Sequence, residues 1–158
     1  MPHITIEYVI LVPVLFAQIL VFPFAASIMT SSWADIRRNS ALEGAASHLA
    51  STIQQLYLSV NREEIVAGNI TQASTLPPTI ESYPYTANGS LTSLDSNSSR
   101  ILVLTLTLEG TGNTATASAV LGPNARWDGG TLRSNSPDAS IKVRKFVNGT
   151  LLFSFQGG

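Results

Sequence analysis

From Tyr8 to Ala34 the chain runs for 27 residues without Asp, Glu, Lys or Arg. Its most apolar part, Tyr8 to Met29, has only Gln18 and Ser27 as polar members. About 20 apolar helical residues span the hydrocarbon core of a bilayer, so this segment is long enough to cross one. From Leu42 the pattern changes. Leu42, Ala45, Leu49, Ile53, Leu56 and Val60 recur at steps of three and four, one stripe of an amphipathic helix. Glu43, Ser47, Ser51, Gln54 and Ser59 fall on the opposite face. No glycine precedes Gly44, and no proline lies between Pro23 and Pro77. Together the two patterns predict one helix from His3 to Asn61, roughly 90 Å long at 1.5 Å per residue. Residues 1–61 form this element, with 3–35 the most apolar. The amphipathic half must cover its stripe, and the domain that follows is the available partner. Pro13 and Pro23 each remove a backbone donor and crowd the preceding turn. Apolar surroundings tolerate this when neighbouring helices satisfy the freed groups, so a gentle kink or a loosened turn is expected rather than a break.

Beyond the helix the period drops to two. Residues 62–78 read as a linker, with Gly68 and the pair Pro77-Pro78. Arg100–Glu109 places Leu102, Leu104, Leu106 and Leu108 on one face, against Ile101, Val103, Thr105 and Thr107 on the other. That is a strand packed on a core. Gly110-Thr-Gly-Asn113 is a turn, and Thr114–Leu121 alternates hydroxyls with Ala115, Ala117 and Ala119, small enough to admit a bulky neighbour. The runs 139–147 and 150–155 flank Asn148-Gly149, a strong hairpin signal. Tyr83-Pro84-Tyr85 suits an edge strand, where proline is tolerated. Trp127-Asp-Gly-Gly130 reads as a turn. Five to seven short strands over 79–158 predict an antiparallel β-sandwich or barrel-like head domain. The fold class is α+β, a long N-terminal hydrophobic α-helix followed by that head.

Composition narrows the chemistry. Charged residues make up 12% of the chain, about half the usual share in a soluble domain, and the net charge is -1. Nucleic-acid binding needs clustered Lys and Arg and is not expected. The absence of cysteine excludes disulfides, thiolate metal sites and a Cys nucleophile. The two histidines, His3 and His48, lie at the terminus and on the long helix, away from any Ser–Asp partnership. Asp95-Ser-Asn97-Ser-Ser99 resembles the start of a calcium loop, but Arg100 and Leu106 stand where glycine and glutamate are needed. Gly110-Thr-Gly112 opens no helix and is no phosphate loop. No enzyme activity, cofactor or metal is expected.

Two features concern the compartment. Ser, Thr and Asn together make 43 residues, and Asn-x-Ser/Thr sequons occur at Asn69, Asn88, Asn97 and Asn148. They suggest an exported surface carrying N-linked glycans. Against this, the C-terminal flank of the apolar run has Arg37 and Arg38 while the N-terminal flank has no cation, which by itself places the head inside the cell. A basic leader preceding residue 1, setting the topology and then removed, reconciles both. A conventional signal peptide fits poorly, because the run is too long and no small-x-small site closes it. Glu7 precedes the charge-free stretch. A carboxylate there is costly unless paired. Either it meets water at an interface, or it awaits a partner such as a neighbouring subunit's amino terminus.

The run His3-Ile-Thr-Ile-Glu7-Tyr-Val-Ile-Leu-Val resembles the start of a mature type IV pilin, which has Glu at its fifth position followed by an apolar helix. With His3 as the first mature residue, Glu7 stands fifth. Pro23 stands where bacterial pilins carry a helix-loosening proline nearby. The long helix with an all-β head, the lack of cysteine and the sequons resemble archaeal type IV pilins and archaellins more closely. The match is specific over residues 3–35; the head resembles them by architecture only. This resemblance implies a short basic leader cut by a dedicated peptidase, and a subunit that waits in the membrane. Assembly machinery then draws it into a helical homopolymer, with the helices bundled at the centre and the heads outside. It implies assembly roles for Glu7, Tyr8, Pro13 and Pro23, and an extracellular filament at the cell surface. Three readings follow: a pilus for adhesion, an archaellum subunit for motility, or a membrane-anchored extracytoplasmic binding or sensor domain that never polymerises.

Overall fold

A computed structural model describes the backbone of residues 3–93 and 99–158, with side chains from Val9 onward apart from Ser93. Helix α1 (His3–Val60) is followed by eight strands: β1 (Gly68–Ala73), β2 (Tyr85–Ser93), β3 (Arg100–Leu108), β4 (Thr114–Leu121), β5 (Ala125–Gly129), β6 (Thr131–Arg133), β7 (Ser140–Lys145) and β8 (Leu151–Gln156). The class is α+β, as the periodicity predicts. Pro13 and Pro23 lie inside α1 without ending it. The chain divides into two compact units between Arg37 and Arg38. The first is the apolar part of α1. The second holds the rest of α1 and every strand, so the head begins inside the helix rather than after residue 78.

The strands form two four-stranded sheets, in the orders β1-β7-β8-β5 and β4-β3-β2-β6. Most pairs are antiparallel, but β5 runs parallel to β8, which makes the first sheet mixed rather than wholly antiparallel. Inner positions alternate with outer ones along β3 and β8. Leu102, Leu104, Leu106 and Leu108 are buried on β3, beside Ala115 and Ala119 of β4 and Tyr85 and Ala87 of β2. Ile141, Val143, Leu151, Phe153 and Phe155 line the other sheet. All six residues of the predicted helical stripe are buried in the same core cluster, joined by Ala46, Ala50 and Tyr57. The five polar positions assigned to the opposite face are exposed. The amphipathic half of α1 thus packs on the head.

Three local expectations need correction. The linker 62–78 contains β1, a polar, mostly exposed edge strand with no hydrophobic alternation to reveal it. Tyr83-Pro84-Tyr85 is no edge strand, because β2 begins at Tyr85 and lies between β3 and β6. Pro84 precedes the ladder, where its missing N–H costs nothing, and its carbonyl accepts from Glu109 N–H. The segment from Trp127 is strand up to Gly129, with a bulge between Trp127 and Gly129. Gly129 and Gly130, both at positive φ, then carry the chain across to β6 in the other sheet. The expected hairpin is present: β7 and β8 turn at Asn148-Gly149, with Gly149 at positive φ. Gly149 N–H donates to Phe146 C=O and Phe146 N–H to Thr150 C=O. That is a three-residue loop ending in a left-handed glycine.

Two details tie the layers together. The Tyr85 hydroxyl donates to Pro77 C=O at 2.8 Å, and burial pushes that phenol up to about 12. Gly89 has no side chain because the Trp127 ring occupies the space; a Cβ there would come within 2.5 Å of it.

Candidate functional site

The first unit presents an unusual surface. Every side chain from Val9 to Trp33 is exposed, including Phe22 at 78% and Leu20 at 71%. The segment is apolar all round rather than along one stripe, and it is long and apolar enough to cross a membrane. Soluble monomers rarely show contiguous apolar patches beyond a few hundred Å². Such a surface requires lipid or protein around it. The few hydroxyls fit that environment. Thr30 Oγ1 donates to Ala26 C=O and Ser31 Oγ to Ile28 C=O, both at 2.9 Å, so these groups need no water.

The predicted assembly residues fall in this unit. Pro13 and Pro23 are exposed within the helix. The side chains of Glu7 and Tyr8 lie outside the described residues.

Below this surface the helix is fastened to the head by polar contacts at both ends of its buried stripe. Near the start, Arg38 Nε meets Glu81 Oε2 at 3.0 Å and its guanidinium lies 5.2 Å from the centre of the Tyr83 ring. Asn113 donates to Asn39 Oδ1 at 2.8 Å. Glu81 and Ser82 both adopt positive φ, between mutual Ile80–Tyr83 hydrogen bonds. That left-handed turn without glycine is costly and presents Glu81 to the helix. At the far end, Tyr57 Oη donates to Asn124 Oδ1, and Asn124 Nδ2 donates to Asn61 Oδ1 and Gly149 C=O. Gly122 leaves room for the Tyr57 hydroxyl, which a Cβ would strike.

Lys145 completes this fastening. It takes the inward slot after Ile141 and Val143 on β7 and is buried. Its ammonium donates to Val60 C=O at 2.9 Å and Arg62 C=O at 2.7 Å, at the C-terminus of α1. A cation there satisfies carbonyls left over by the last turn and opposes the negative end of the helix dipole. Sequence reasoning missed it; the only signal is a lysine in an inward register. Lys145→Met keeps the stem and removes the charge. It is expected to cost about 1.5–3 kcal/mol, the range for a hydrogen bond to a charged group. Denaturant unfolding of the detergent-solubilised chain checks this, and an unchanged midpoint would show the carbonyls satisfied without it.

The structure places three sequons on the surface. Asn69 is exposed on the edge strand β1. Asn88 is exposed on the outer face of β2, its Oδ1 accepting from Thr131 Oγ1. Asn148 sits at the hairpin tip, its Oδ1 accepting from Thr150 N–H two residues on, a local side-chain turn within the sequon. Asn97 lies outside the described residues. Among the described residues no three His, Asp or Glu side chains gather as a metal would require.

Comparison with protein-family models, with curated proteins and with solved structures finds no match for the chain. The functional reading therefore rests on the chain's own surfaces.

Proposed function

We propose that the chain is a structural pilin subunit of the type IV kind. It polymerises through its apolar helix into an extracellular filament. One observation carries this reading: a charge-free helical surface, exposed all round from Val9 to Trp33, continuous in sequence with a stripe committed to the head. A tether would need only to be apolar. A polymer also needs the head tied to the helix, and the Arg38–Glu81, Tyr57–Asn124 and Lys145 contacts supply that tie. The same apolar surface serves first in lipid and then against neighbouring helices. A heterologous contact that does not close produces an open helical polymer. Charge within such a bundle would be penalised, which accounts for its absence over 27 residues. The exposed sequons support an N-glycosylated outer surface, and we assign the filament to adhesion rather than motility. No catalytic role, cofactor or nucleic-acid partner belongs to this reading.

Electron microscopy of material sheared from cells making the chain tests it. Fibres containing the chain, identified by mass spectrometry, are expected. If detergent releases only monomers and shearing yields no fibres, the chain is a membrane-anchored extracytoplasmic domain that does not polymerise.

A further inference from the structure

Four of the eight cations of the head are occupied within the chain. Arg38 holds Glu81, Arg133 holds Glu109, Lys145 holds the end of α1, and Arg100 donates to Ala125 C=O at 2.8 Å. Three others lie together. Arg144 of β7 and Arg126 of β5 both pair in register with Leu152 of β8, and Lys142 pairs with Ser154 in the next row. Their neighbours Ile141, Val143, Leu151 and Phe153 point into the core, so these three occupy the outer face of the sheet. With strands about 4.8 Å apart, Arg126 and Arg144 stand about 10 Å from each other across Leu152. Arg144 lies over the Phe146 ring at 4.8 Å. No ion pair holds Arg126, Lys142 or Arg144 among the described residues. Asp128 shares a depression of about 340 Å³ with Lys142, Arg144 and Ser154 and is the one acid among the residues that line it. A chain with net charge -1 therefore carries a positive face.

The acids are distributed differently. Glu63 and Glu64 stand side by side in the exposed turn after α1, and among the described residues no ion pair holds them. They are the only adjacent acidic pair in the sequence. Within one chain the acidic turn and the cationic face do not pair.

We infer that the outer face of β7, β8 and β5 receives Glu63 and Glu64 of a second copy of this chain. The contact is heterologous: the patch on one subunit differs from the patch it meets, so each copy offers one of each and the contact repeats along an axis. Exposed charge pairs of this kind fix register and partner choice more than affinity. The apolar helices form a surface with little to select one axial offset over another. The charged contact between heads supplies that selection. The inference rests on the polymer reading and adds which surfaces of the heads meet.

Charge reversal in the full chain tests it. Lys142→Glu with Arg144→Glu, and separately Glu63→Lys with Glu64→Lys, are each expected to lower pelletable fibre mass roughly tenfold. All four changes together should restore it. Unchanged fibre mass in both reversals, or a fourfold variant no better than the worse pair, overturns the contact while the filament stands. Absence of fibres from the unaltered chain overturns both. A second measurement does not depend on assembly yield. The chain has no cysteine, so Glu63→Cys with Arg126→Cys introduces the only thiols. Mild oxidation of fibres should give a ladder of covalent oligomers on a non-reducing gel, and neither single variant should. Monomer alone in the double variant overturns the contact.

Discussion

A chain carrying Ile19→Lys is expected to give no fibres, while its head unfolds at the same denaturant concentration as before. Ile19 is exposed in the middle of the apolar segment, 12 residues from the nearest preceding carboxylate at Glu7 and 16 from the following one at Asp35. In a bilayer, a lysine at the centre of a helix costs about 2.5–3.5 kcal/mol by insertion scales, lessened as the side chain reaches toward the interface. In a packed bundle the side chain has less room to reach, and an unpaired buried charge is destabilised by several kcal/mol. The polymer meets that cost once per subunit, so even a modest figure suppresses growth strongly. The head is unaffected because its compact unit begins at Arg38. Negative-stain microscopy of sheared material with an Ile19→Leu control reads the result. Normal fibre yield from the lysine variant would show that this face of the helix stays in contact with water, and burial of the helix in a central bundle would fall while the filament stands.

Legibility in the sequence followed the range of the interactions involved. The helical stripe was readable because each of its residues, from Leu42 to Val60, answers to a neighbour three or four positions away. Strand β3 was readable because four leucines alternate with less buried residues. By contrast, β2 was hidden. Its Gly89, a residue that weakens a strand, is there to admit the Trp127 ring from a strand about forty residues later. The parallel pairing of β5 with β8 leaves no local trace for the same reason. An edge strand such as β1, pairing through its backbone with β7, imposes little on its own side chains. The exposed apolar surface was fully readable, since its character lies in composition rather than contacts. The polar fastening of helix to head was not, because each link joins residues far apart in sequence. Arg38 and Glu81 reveal nothing until a strained turn brings them together.

The helix and the head also differ in what each needs in order to fold, and chain shortening separates them. A chain beginning at Arg38 is expected to fold to the native head; one beginning at Arg62 is not. The first retains the whole core cluster, together with Arg38–Glu81 and Asn39–Asn113, which hold the new helix start in place. The second loses Leu42, Leu49, Ile53, Leu56, Val60 and Tyr57 from the core and exposes the sheet residues that they cover. Burying a large apolar side chain contributes about 1.5–3 kcal/mol, so six of them supply on the order of 10 kcal/mol before the cost of ordering the helix. Typical domains have a net stability of about 5–15 kcal/mol, which leaves little or nothing for the sheets alone. The lysine at position 145 makes the loss larger, since it would then sit inward without Val60 C=O, one of the two carbonyls that hold its charge. Near-ultraviolet circular dichroism and resistance to limited proteolysis distinguish the outcomes. A native-like, protease-resistant chain starting at Arg62 would mean that the helix is an accessory to the head rather than part of its core. In that case pulling on the apolar segment would not be transmitted to the sheets. If the chain starting at Arg38 alone is native, the second half of α1 belongs to the head, and only the first half is left to partners outside the chain.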